Sequence, residues 1–161
     1  AQKIILDLRN NPGGYLEVAQ EIAGWFLEKG EVVVWQDSGE GKEREVYKSK
    51  GPARFSQYPT VVLINEGSAS GAEILAGALR DNRQVQLIGK KSFGKGSVQE
   101  QVFLSDNSSM KITIANWLTP NGISIDEAGL TPDVEIEMTD EDWEEDSDPQ
   151  LEKAIEIIKN L

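Results

Sequence analysis

The sequence predicts an α/β fold built on a partly parallel sheet. Short apolar runs read as buried strands, stretches with apolar residues at helical spacing alternate with them, and glycine-rich turns mark the joins. Lys3 to Leu8 (KIILDL) is the first strand, ended by the turn residues Asn10-Asn11-Pro12-Gly13-Gly14. Leu16, Ala19, Ile22, Ala23, Phe26 and Leu27 then form one helical face, and Gly30 supplies a stop. Glu31 to Gln36 is a second strand. After a polar turn over Asp37 to Lys42, Arg44 to Lys48 alternates as its hairpin return.

Gly51 to Tyr58 reads as a loop. Thr60 to Ile64 (TVVLI) is a third buried strand, followed by Asn65-Glu66-Gly67 and a helix with Ile74, Leu75, Ala78 and Leu79 on one face. Gln84 to Ile88 is the next strand. From Ser97 to Trp117 the pattern is β on both sides of a turn at Asp106-Asn107, and Thr119 to Gly122 turns again. The acidic block Thr139 to Asp148 reads as a solvated connection; it lacks the glycine and spacing of a calcium loop. Asp148-Pro149 then caps a last helix with an apolar stripe of Leu151, Ala154, Ile155 and Ile158.

At 161 residues, 39% apolar and 27% charged, the chain suits one globular domain with a core. No run approaches the roughly 18 apolar residues of a membrane helix. The chain opens directly on a strand with no visible leader, as a piece of a longer protein would. Its net charge of -12 and lack of a basic stripe argue against binding nucleic acid. There is no histidine and no cysteine. That excludes zinc sites built on those residues, disulfides, thiol nucleophiles and a Ser-His-Asp triad. A nucleophilic mechanism within this chain must take its base from Lys, Asp, Glu or Tyr.

Ligand sites in open parallel sheets lie beyond the carboxyl ends of the strands. Three segments follow strands in this way: Asn10 to Gly14, Gly67 to Gly71 and Lys90 to Gly96. If the strands are parallel, all three meet at one edge. The first has exposed backbone N–H groups suited to an oxyanion, and lacks the spacing and Lys-Ser/Thr of a phosphate loop. In the second, Ser70-x-x-Glu73 fits a capping box, yet the small neighbours of Ser70 also admit a substrate backbone. Ser68 is a rival nucleophile by the same local logic. In the third, Lys95 is flanked by glycines and preceded by Phe93. As a base it must be neutral, which an apolar pocket would favour by lowering its pKa from about 10.4 toward roughly 7–8.

The motifs Leu6 to Gly14 (LDLRNNPGG), Val61 to Leu79 (VVLINEGSASGAEILAGAL), Ser92 to Gln99 (SFGKGSVQ), Ile112 to Ile123 (ITIANWLTPNGI) and Gly129 to Asp133 (GLTPD) together resemble the C-terminal (tail-specific) processing proteases, serine peptidases of the S41 type. The resemblance spans nearly the whole chain. It implies a crotonase-like (ClpP/crotonase) core with residues 1–161 as the catalytic domain, and a PDZ domain upstream in the full-length protein. It assigns Ser70 as nucleophile, Lys95 as general base and Gln99 as the residue orienting the lysine. Backbone N–H groups of Gly71 and of the Gly13–Gly14 turn become the oxyanion donors. It implies C-terminal tails of proteins or peptides as substrates, no cofactor, no metal, and an exported, envelope or periplasmic setting, or an organelle lumen. Gly71-Ala72 departs from the Ala-Ser that more commonly follows the nucleophile. Two alternatives stand beside this reading. One is a non-catalytic binding module on the same scaffold, as in retinoid-binding repeats of the eye. The other is a crotonase-type thioester enzyme, for which no carboxylate pair or adenine pocket is identifiable.

Overall fold

The run TVVLI forms β4 (Thr60–Ile64), the one strand buried along its whole length. The computed structural model, which describes residues 2–161, places β4 between β1 (Ile4–Asp7) and β5 (Gln86–Gly89), parallel to both. A short strand β8 (Val134–Glu135) extends this sheet, in the order β1-β4-β5-β8. Alternation along β4 sends side chains to both faces. Val62 and Ile64 join the larger core with α1 (Leu16–Phe26) and α2 (Gly71–Arg83), while Val61 and Leu63 pack with Ala154 and Ile158 of α4 (Pro149–Asn160).

A second, antiparallel sheet has the order β3-β2-β7-β6, made of β2 (Val32–Asp37), β3 (Glu45–Lys48), β6 (Ser97–Phe103) and β7 (Ser109–Leu118). The sequence expectations for these elements hold to within a residue or two. Two elements go beyond them. β8 forms because Asp133 grips β5: its N–H donates to the Leu87 carbonyl at 2.8 Å, and its Oδ2 accepts the Leu87 N–H at 2.8 Å. The acidic block is not wholly irregular, since α3 (Asp140–Glu144) lies within it. Thr139 starts that helix as the sequence Thr-x-x-Asp allows: the Thr139 N–H donates to Asp142 Oδ2 at 2.8 Å and the Asp142 N–H to Thr139 Oγ1 at 3.2 Å. No helix among the described residues is long and apolar enough to cross a membrane.

Asp148 caps α4 as expected, accepting the Leu151 N–H at 2.9 Å. It also pairs with Arg9, whose two terminal nitrogens each donate to one Asp148 oxygen at 2.8 Å. Arg9 continues to Asp7 at 2.8 Å, so the carboxyl end of β1 is tied to the start of α4. The Arg9 hydrogen bond holds the Asp148 carboxyl below its ordinary value. A depressed carboxylate adds stability above the unfolded pKa, near 3.9, and the contribution is lost as pH falls through the folded value. Asp148→Asn keeps a capping side chain and removes the charge. It should lower unfolding free energy by about 1–2 kcal/mol at pH 7, in the range of a charge-assisted hydrogen bond. Urea melts of the two proteins, compared at pH 7 and in acid, should converge as pH falls through the depressed folded value. An equal deficit at both pH values would refute the ion-pair account.

Candidate active site

The parallel strands bring the three turn segments together at their carboxyl ends. Asn65, just after β4, holds the first two: its Oδ1 accepts the Asn10 N–H at 2.8 Å and the Gly67 N–H at 3.0 Å. The Ala69 N–H donates to the Asn11 carbonyl at 2.9 Å, and the Phe93 N–H to the Ser68 carbonyl at 2.9 Å. Each segment is thus hydrogen-bonded to the Gly67–Gly71 turn.

The two serines of that turn have different surroundings. Ser68 is fully buried. Its hydroxyl donates to the Leu8 carbonyl at 2.7 Å and accepts the Asn65 N–H at 2.9 Å. This hydroxyl is committed to joining β1 and β4. Ser70 is partly exposed at the N-terminus of α2, with φ 53° and ψ -118°. A non-glycine residue there stores about 1–3 kcal/mol of backbone strain and persists only when its surroundings enforce it. Ser70 has the layout of a capping box, with its N–H donating to Glu73 Oε2 at 2.8 Å. Its own hydroxyl makes no cap hydrogen bond of sound geometry and stays available.

The glycines of the first turn lie against Ser70. A Cβ on Gly13 (φ 85°) would run into the Ala69 carbonyl oxygen, and would come within 2.6 Å of the Gly71 nitrogen and 2.9 Å of Ser70 Cβ. A Cβ on Gly71 would come within 3.3 Å of the Gly14 nitrogen. Gly13, Gly14 and Gly71 therefore share one niche beside Ser70. The Gly13 N–H is occupied, donating to Asn11 Oδ1 at 2.9 Å. The N–H groups of Gly14 and Gly71 have no acceptor among the described residues, and the positive end of the α2 dipole lies at the same point. An apolar cavity of about 100 Å³ opens from this niche, lined by Leu8, Val18, Ile22, Ala72 and Leu75.

The base loop departs from the sequence expectation. Lys95 is exposed and does not lie in an apolar pocket. The reason is alternation. Ser92, Gly94 and Gly96 are buried while Lys91, Phe93 and Lys95 face outward, with Phe93 66% exposed. The glycines face inward because backbone crowds them: Gly94 packs on Glu127 and Gly129, and Gly96 on Asp126. Lys95 Nζ makes no hydrogen bond among the described residues. Lys90 is engaged elsewhere, donating to Glu137 at 2.6 Å. Gln99 is exposed on β6, paired with Thr113 beside a register shift at Val98/Gln99, and its side chain makes no hydrogen bond to Lys95.

Sequence reading saw Glu73 only as a helix-cap partner. It is fully buried and accepts four hydrogen bonds, from Ser70, Ser92, Gly94 and Lys95. Asn11 and Ser92 fall within the segments the sequence singles out but with no role of their own, and Asn65 is marked there only by its place at a turn.

Residues 1–136 match the sequence model of peptidase family S41. The chain belongs to that family. It is 43% identical over 134 residues to carboxyl-terminal-processing peptidase 3, chloroplastic, of Arabidopsis thaliana, covering 83% of this chain and 26% of that S41 relative. It is 42% identical over 140 residues to the carboxy-terminal processing protease CtpA of Bacillus subtilis (strain 168), covering 87% of this chain and 30% of CtpA. Among solved structures, a photosystem II D1 C-terminal processing protease superposes with a TM-score of 0.79 at 36% identity, over 85% of this chain and 35% of that one. The tricorn protease shares the fold with a TM-score of 0.67 at 22% identity, over 99% of this chain and 15% of that one. The chain thus spans about a third or less of these relatives.

Proposed function

We propose that this chain is the catalytic core of a serine endopeptidase that cuts near the C-terminus of protein substrates, with Ser70 attacking and Lys95 accepting its proton. One observation carries the reading: Ser70 sits on a strained turn at the start of α2, beside N–H groups of Gly14 and Gly71 that have no acceptor among the described residues. Those two donors stabilise the oxyanion that forms as Ser70 Oγ adds to the scissile carbonyl. Gly13 contributes by its missing side chain, which lets the two turns meet. Lys95 passes the proton to the leaving amine, an acyl ester remains on Ser70, and water releases it with Lys95 again as base. Gln99, two residues into β6, orients the lysine once substrate is bound. The apolar cavity receives a small aliphatic side chain of the substrate.

Lys95 is exposed to solvent here. A bound peptide, or a further part of the longer protein such as a PDZ domain, closes over the loop and desolvates it. The names of the relatives support the C-terminal processing substrate class and an exported or organellar setting. The exposed Lys95 also supports a second reading, a peptide-binding module without catalysis.

A fluorophosphonate probe separates the two. The expected result is a covalent adduct on Ser70, absent in Ser70→Ala, with cleavage of peptides carrying Ala or Val before the scissile bond. A folded protein that takes up no probe at Ser70, alone or with the remainder of its longer chain, would favour binding.

A further inference from the structure

We propose that Glu73 is a positioning residue whose buried carboxyl group ties the nucleophile turn to the base loop and sets the approach of Lys95 to Ser70. The proposal rests on the peptidase reading. Glu73 Oε1 accepts Ser92 Oγ at 2.6 Å and the Gly94 N–H at 2.7 Å; Oε2 accepts the Ser70 N–H at 2.8 Å and the Lys95 N–H at 3.0 Å. A cap glutamate needs only the Ser70 bond and ordinarily sits in water. Here three further donors come from residues 19, 21 and 22 positions along the chain. Burying a charge is costly unless hydrogen bonds replace its water, and four donors do so without a cation among the described residues.

Oε2 is shared between the two proposed catalytic residues. The backbone nitrogens of Ser70 and Lys95 are therefore no more than about 5.8 Å apart, the reach of the two bonds together. The Ser70 bond also helps hold that residue at its strained φ. It consumes the Ser70 N–H and leaves Gly14 and Gly71 as the oxyanion donors. The side chain of Lys95 makes no hydrogen bond among the described residues, and its loop is placed through the backbone. Phe93 N–H to Ser68 carbonyl is the other direct tie between loop and turn, and it survives any change at Glu73.

Glu73→Gln keeps shape and volume but sets an amide N–H against two of the four donors. We expect a folded protein with kcat reduced about 10²-fold, as for a misplacement on the order of 1 Å. KM should stay within about threefold, since the apolar cavity does not include Glu73. The amide proton resonances of Ser70 and Lys95 should both move, because each loses its carboxylate partner.

A loss that tracks only the unfolded fraction, or unchanged kcat in a folded variant, would overturn the proposal. Should Glu73→Gln not fold, Ser92→Ala decides: it removes one donor and leaves the charge. Its expected signature is a kcat several-fold lower with KM little changed and the Ser70 and Lys95 amide resonances displaced, and an unchanged folded variant overturns the proposal. Failure of the wild-type protein to label at Ser70 would count against the peptidase reading alone, leaving the amide resonances to judge the tie.

Discussion

Lys95→Ala should lower kcat for peptide cleavage by about 10²–10⁴-fold, the range of a positioned general base, while leaving the melting temperature unchanged. The separation of the two effects follows from the geometry. Lys95 is exposed and its side chain donates no hydrogen bond among the described residues, so truncating it removes no structural contact. What holds the loop is the Lys95 backbone N–H on Glu73 at 3.0 Å, which alanine keeps. Labelling of Ser70 by a fluorophosphonate should slow by a similar factor, since the same proton must leave Oγ. Lys91 is the natural control. It is also exposed on this loop, four residues earlier, and Lys91→Ala should cleave and label as the unmodified protein does. Full activity in Lys95→Ala, or equal losses in both variants, would remove Lys95 from the mechanism.

The sequence makes the three converging turns readable because the argument is topological. Apolar runs identify the strands, helices between them imply parallel pairing, and parallel pairing puts the turns at one edge. The observed pairings of β1 with β4 and of β4 with β5 are parallel. The choice between Ser68 and Ser70 was not readable locally, since both sit among small residues. It depends on the Leu8 carbonyl, 60 residues away in sequence, which takes the Ser68 hydroxyl. The exposure of Lys95 was equally hidden. Phe93 and the glycines suggested an apolar pocket, but which side of the loop faces inward is set by the backbone at Asp126, Glu127 and Gly129. Glu73 shows the same limit. Ser-x-x-Glu announced one hydrogen bond correctly, and nothing local announced the other three. In α3 the signal is local: Thr139-x-x-Asp142 is a capping box within a run of acids that otherwise reads as solvated chain.

Gly13→Ala tests the niche itself. The substitution forces two changes at once. The residue must keep φ near 85°, which an L side chain rarely adopts, at about 1–3 kcal/mol. Its Cβ would also collide with the Ala69 carbonyl oxygen and sit 2.6 Å from the Gly71 nitrogen. Both atoms are backbone on the turn that carries Ser70, so neither can rotate away. The turns must separate, and the niche that Gly13, Gly14 and Gly71 share beside Ser70 opens. Loss of an oxyanion donor typically costs about 10²–10³ in kcat, and that is the expected effect, with KM little changed. Strain alone is measured by Gly122→Ala. Gly122 has φ 81° and nothing within 4 Å of its would-be Cβ. That variant should lose stability of similar size and keep its activity. If both variants lose stability and neither loses kcat beyond the unfolded fraction, the glycine pair is a folding device and the oxyanion donors lie elsewhere. A kcat deficit confined to Gly13→Ala ties the close contact of the two turns to the stabilisation of charge on the substrate oxygen.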